Sequence, residues 1–120
     1  MPSSDPAQRF EDILLNIARI EEHTAGVDDE TAFEESHLVY DAVERCLERI
    51  SEAAKKLGPV AETLCPEISW PNIRGLGNVL RHEYDRVESI RIWYVVQDDL
   101  PELKTAAAAA LQKLQKSETP

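Results

Sequence analysis

Apolar residues recur at threes and fours along most of this chain, the spacing of helices that each turn one face to a core. Phe10, Ile13, Leu14, Ile17 and Ile20 make the first such face. Asp5 can cap it and Pro6 suits a first turn, so a helix is predicted from there to about His23. Ala25-Gly26-Val27-Asp28-Asp29 reads as a turn. From Asp29 or Thr31 a second helix is predicted to continue unbroken to Leu57, where Gly58-Pro59 stops it. Its stripe is Phe33, His37, Tyr40, Val43, Leu47, Ile50, Ala54 and Leu57, about 25 residues or ~38 Å at 1.5 Å per residue. Within that stripe His37 is expected to be a partly buried structural histidine. A second stripe, Leu38, Val39, Ala42, Cys46 and Ala53, is apolar too. A long helix with two apolar sides suggests a bundle that also dimerises.

Val60 to Leu64 fits one short helical turn before Cys65-Pro66. Ser69-Trp70-Pro71 then reads as a cap with proline early in a helix over 70–81, whose apolar side is Ile73, Leu76, Val79 and Leu80. Gly75 and Gly77 interrupt it, each costing up to ~1 kcal/mol of propensity relative to Ala; they either admit another backbone closely or loosen the helix. After a break at Tyr84-Asp85, Ile90, Trp93, Tyr94 and Val96 or Gln97 mark the next helix. Asp98-Asp99-Leu100-Pro101-Glu102 predicts a restart, with Asp99 as cap and Glu102 completing a capping box. A last helix, Leu100 to about Lys116, presents Leu103, Ala107, Leu111 and Leu114, and the ends 1–4 and 117–120 are expected to fray. The pattern as a whole predicts an all-α fold, a four- to five-helix antiparallel up-and-down bundle in a single domain over 1–120.

Composition narrows the function. A chain of 120 residues can bury one core without metal or disulfide staples. The two cysteines, Cys46 and Cys65, lack the spacing of a zinc site or of a secreted disulfide framework, so free thiols and no metal are expected. Met-Pro-Ser-Ser-Asp-Pro has neither a basic nor an apolar leader region, and no run approaches the ~18 apolar residues that span a bilayer. A cytoplasmic protein with no membrane contact is the expectation. The formal net charge of -10 opposes diffuse attraction to polyphosphate, so a nucleic-acid role requires a local basic site. Residues 70–94 provide one, with 4 basic against 3 acidic groups, where residues 1–69 carry 6 against 16.

That region contains Arg74-Gly-Leu-Gly-Asn-Val-Leu-Arg-His-Glu-Tyr-Asp-Arg86. His82 can take or give a proton near neutral pH, the property needed to cleave a ribose-phosphate backbone through its 2′-OH. Asn78 stands four residues earlier and Arg74 four before that, so one helical ridge would carry a guanidinium, an amide and an imidazole. A guanidinium offers paired donors to phosphate oxygens. Arg81 and Arg86 flank the group, and Tyr84 can donate to phosphate, stack on a base or accept a modifying group. Each residue also has a plainer reading: a solvated ridge for Arg74 and Asn78, local ion pairs for Arg81 and Arg86, and an amphipathic seal on the bundle end for Tyr84.

Asn78-x-Leu80-x-His82-x-Tyr84-Asp85, followed by Trp93 and Leu100-Pro101-x-Leu103, resembles the second half of HepT-like HEPN-domain proteins, found in prokaryotic toxin-antitoxin pairs. The specific likeness covers about 30 residues, and the first half agrees in helical layout. The resemblance implies an antiparallel helical bundle, a homodimer that brings two copies of the motif together, and metal-independent endoribonuclease activity without a cofactor. It implies His82 as the catalytic histidine, Asn78 as the polar residue of the motif and Tyr84 as its tyrosine. It also implies a small nucleotidyltransferase antitoxin as partner, able to add AMP to Tyr84, and RNA as substrate. The family pattern has an arginine five positions before the histidine, and here Gly77 stands there. Arg74 or Arg81 is the candidate substitute. The alternative is a catalytically weak or inactive HEPN dimer that binds a nucleotidyltransferase or a nucleotide. A purely structural bundle ranks last, since it leaves the polar cluster at a helix end unexplained.

Overall fold

The computed structural model describes residues 5–82 and 86–118, with side chains at 5–80 and 89–116. Its helices are α1 (Pro6–Thr24), α2 (Glu30–Glu35), α3 (His37–Leu57), α4 (Pro59–Leu64), α5 (Trp70–His82), α6 (Arg86–Tyr94) and α7 (Leu100–Glu118). A π-helical turn, Val95–Asp99, joins the last two. The expected all-α bundle is therefore what forms, with α1, α3, α5 and the α6–α7 rod as its staves and an envelope of 51 × 27 × 21 Å.

The first helix follows its pattern. Asp5 accepts from Gln8 N at 3.1 Å as the cap, and Phe10, Ile13, Ile17 and Ile20 are buried. Asn16 is buried among them, donating to the Asp12 carbonyl at 2.8 Å. Phe10 meets Trp70, the first residue of α5, edge to face with ring centroids 6.5 Å apart. The Trp70 indole donates to the Cys65 carbonyl at 2.9 Å, so this large side chain is buried with its one polar atom satisfied.

The long second helix is broken where continuity was expected. Ser36 takes an extended conformation that ends α2 and caps α3, its hydroxyl accepting from Val39 N at 3.3 Å. A serine that offers its own side chain to the backbone competes with helix. The break lets Phe33 turn inward, where its ring lies 5.5 Å from Trp93 and 5.4 Å from Tyr40. It also moves His37 off the buried stripe: at the first position of α3, His37 is exposed, which corrects the expectation of a partly buried structural histidine. The second stripe divides as well. Cys46 and Ala53 join the same core as Leu47 and Ile50, whereas Leu38 is 83% exposed. Gly58, at φ 58°, ends α3 in the left-handed region that glycine favours.

No new start occurs at Asp99. Pro101 has no N–H to return to a carbonyl one turn back, and the wider turn absorbs that gap, with the Leu100 N–H bonding the Val95 carbonyl. Asp99 lies exposed inside the π turn instead of capping, so α6 and α7 run on as one rod. Along α7, Leu100, Leu103, Ala106, Ala107 and Ala110 are buried, Leu111 and Leu114 are half-buried, and the small alanines let α1 pack close. Helix α7 continues to Glu118, two residues past the expected end. The ends 1–4 and 119–120, and the Tyr84-Asp85 break, lie outside the described residues.

Candidate functional site

Helix α5 carries Arg74, Asn78, Arg81 and His82 of the residues singled out by sequence, and α3 fixes its position. Ser51, fully buried on α3, donates its hydroxyl to the Arg74 carbonyl at 2.8 Å and accepts from Gly77 N at 3.3 Å. One side chain thus bonds both an acceptor and a donor of the neighbouring helix backbone. The pairing of Ser51 with 74–77, and of Ala54 and Gly58 with Arg74, runs the two helices antiparallel. Gly77 is buried with its N–H on the Ser51 hydroxyl, whereas a Cβ at Gly75 would meet nothing within 4 Å.

Arg74 turns toward the bundle. Its Nη1 and Nη2 donate to Glu62 at 2.8 and 2.7 Å, Nη2 also to the Gly58 carbonyl at 2.9 Å, and Nε to the Ala54 carbonyl at 3.3 Å. This guanidinium closes the corner between α3 and α4, taking up carbonyls that a helix end leaves without partners. The hydrogen bonds to Arg74 hold the Glu62 carboxyl below its usual range, and Glu62 raises Arg74 in turn. Asn78, one turn on, is exposed. Helix α5 persists to His82, so the backbone does carry 74, 78 and 82 on one ridge. The guanidinium of Arg74, however, is bound on the α3–α4 side. The side chains of Arg81, His82 and Arg86, and all of Tyr84, lie outside the described residues.

Beside Gly77 a cleft of about 370 Å³ opens between α5 and α3, lined by Arg45, Glu48, Arg49, Ser51, Glu52 and Lys55. Sequence reasoning passed over these α3 residues because charges on the outer face of a long helix usually read as solvation. Their spacing of four between Arg45 and Arg49 was the available signal. Chemically, the cleft offers cations and a buried backbone floor without a Cβ; Asn78, next in sequence after Gly77, is exposed but is not among its lining residues. Among the described residues no group of three His, Cys, Asp or Glu is placed to hold a metal ion, and no helix is long and apolar enough to cross a membrane.

A family model described as "Ribonuclease HepT-like" matches residues 13–110. A protein of Methanocaldococcus jannaschii named "Putative RNase MJ1380" is 31% identical over 93 residues, covering 78% of this chain and 84% of the relative. A second from that organism, "Putative RNase MJ0125", is 32% identical over 104 residues, 87% of this chain and 89% of its own. "Probable ribonuclease HepT" of Thermococcus cleftensis is 35% identical over 95 residues, 79% of this chain and 86% of the relative. No solved structure matches with significance.

Proposed function

Because this chain belongs to the HepT-like ribonuclease family, we propose that it is a metal-independent endoribonuclease acting as a homodimer, the toxin of a pair whose antitoxin is a small nucleotidyltransferase. The observation that carries the reading is the match over 13–110 together with Asn78-x-Leu80-x-His82 at the C-terminal end of α5, with Tyr84 two residues on in sequence. In this reading the ribose 2′-oxygen attacks the adjacent phosphorus and the 5′-oxygen leaves. His82 moves the proton that one of these oxygens loses or gains. Asn78 donates to a phosphate oxygen, and an arginine holds charge against the phosphate. Arg81 is available to this role by sequence position. AMP added to the Tyr84 hydroxyl would put negative charge where the RNA phosphate binds, and that blocks the site without any large movement.

The test is cleavage of RNA by the purified chain in the presence of chelator, compared with His82→Ala. Turnover lost in the variant supports the reading, and absence of turnover by the unmodified dimer rejects it. A second reading has its own observation: Gly77 occupies the position where the family pattern has arginine. It makes the chain a dimer that binds its nucleotidyltransferase without cutting RNA. A stable complex with that partner and no RNA turnover would favour it.

A further inference from the structure

Phosphodiester cleavage needs positive charge held against the reacting phosphate, and Arg74 is unavailable for it. Its donors go to Glu62 and to the Gly58 and Ala54 carbonyls. The described cations that line the cleft beside Gly77 stand on α3 instead. Arg45, Arg49 and Lys55 line the cleft there, against the carboxylates of Glu48 and Glu52. Three cations against two carboxylates leave this patch positive on a chain of formal charge -10.

The pairings within the cleft are uneven. Arg45 reaches Glu48 at 3.2 Å and Lys55 reaches Glu52 only at 4.0 Å. Both pairs are solvent-exposed neighbours on one helix, and such pairs contribute under ~1 kcal/mol, so an incoming phosphate displaces them at small cost. Arg49 has no carboxylate partner among the described residues. Among the described residues its guanidinium is therefore the cation in the cleft that meets no carboxylate, and its paired donors suit a phosphate. The floor is Gly77, buried and without a side chain, so a backbone phosphate can come close to α5 just where Asn78 follows. Ser51 holds that floor at a fixed height against α3.

We propose that the α3–α5 cleft over Gly77 is the phosphate subsite for RNA, and that Arg49 is the residue that contacts the substrate phosphate there. The inference rests on the ribonuclease reading and names where that activity takes its positive charge. Arg45 and Lys55 extend the subsite along α3 and guide the flanking phosphates.

The experiment uses the full chain, its Arg49→Gln and Arg49→Lys variants, and two probes: an uncleavable 2′-O-methyl oligonucleotide followed by fluorescence anisotropy, and AMP. Cleavage of the unmodified RNA is measured in parallel. Arg49→Gln should weaken oligonucleotide binding about 10- to 100-fold and reduce the salt slope by about 1. It should lower kcat by about 10²–10³, with a melting temperature equal to that of the parent because Arg49 is exposed. Arg49→Lys should recover part of the binding and less of the kcat, since an ammonium lacks the paired donors. The Gly77 amide resonance should shift on oligonucleotide addition in the parent and stay in place in Arg49→Gln. Oligonucleotide affinity unchanged by Arg49→Gln overturns the subsite, as does Arg49-dependent binding of AMP with no binding of the oligonucleotide. If the chain binds the oligonucleotide through Arg49 yet cleaves no RNA, the ribonuclease reading fails and the phosphate subsite stands. If it cleaves RNA equally well with Arg49→Gln, the subsite alone fails.

Discussion

Arg74 and Glu62 are joined by two short bonds, 2.8 and 2.7 Å, across twelve residues of sequence that lead from α4 into α5. The same guanidinium bonds two backbone carbonyls, and its side chain is only 24% exposed. Arg74 is therefore a fastening of the α3–α4–α5 corner. Arg74→Ala should cost ~1–3 kcal/mol of stability, the range for charge-assisted bonds to partners left behind, and should lower the melting temperature. Turnover per folded molecule should be nearly unchanged. Calorimetry alongside active-site-normalised kinetics separates the two effects, and a variant that melts normally but loses turnover would return Arg74 to the chemistry.

The same pair sets an acid dependence. Glu62 is depressed below its unfolded value, so its contribution is present above the ordinary glutamate range and is lost as pH falls through the lowered value. Arg74 is raised from a value already far above neutrality and adds no titration in that window. Glu62→Gln should flatten the acid limb of the stability profile by a small amount, since Glu62 is largely in solvent. Urea midpoints from pH 7 down to 3 for both proteins would show it.

How much of this was legible in the sequence depends on how far apart the interacting groups lie. The faces of α1 and α7 could be read directly, because Phe10 to Ile20 and Leu103 to Leu114 meet the core through local periodicity alone. The break at Ser36 could not, because the serine cap competes with good helix formers and Phe33 packing on Trp93, sixty residues away, accompanies the broken form. The continuity through Asp99 was hidden for a related reason: a capping box and a π turn that absorbs Pro101 share the same local residues. At the site, the motif on α5 was readable as a string. The engagement of Arg74 by Glu62, and the cations of α3 beside Gly77, exist only once α3 and α5 are packed.

Ser51 bonds the backbone of α5 at both Arg74 and Gly77, and it is fully buried. Ser51→Ala removes both bonds and leaves the Gly77 N–H without that partner, a loss of ~1–3 kcal/mol. Hydrogen exchange at the Gly77 amide should accelerate more than exchange at amides of α1. Equal acceleration throughout would mean that Ser51 contributes to global stability only and does not hold α5 locally.

Burial pushes the Cys65 thiol up to about 11, and its Sγ donates to the Ala106 carbonyl at 3.4 Å. The folded state thus keeps the proton that the unfolded chain releases at the ordinary thiol value. Stability from this group is complete below that value and falls as pH rises toward 11, by ~2–3 kcal/mol in all. Cys65→Ala should remove this alkaline slope at the cost of a lower plateau. Alkylation at pH 8 should be slow in the native protein and fast in denaturant, and rapid native labelling of Cys65 would contradict its burial.

Among the motif residues proposed for catalysis on α5, Asn78 is the one whose side chain is described and exposed. An exposed asparagine within a helix supplies little stability, so Asn78→Ala should leave the melting temperature within about a degree or raise it slightly, as alanine has the higher helix propensity. If Asn78 donates to a phosphate oxygen in the transition state, the variant should lose about 10²–10³ in kcat with a smaller change in KM, because an interaction made only in the transition state lowers kcat and kcat/KM together. The contrast with Arg74→Ala is the decisive comparison. One neighbour on the ridge should cost rate without stability and the other stability without rate, so measuring both variants on the same RNA tests whether the α5 ridge divides into a chemical and a structural half.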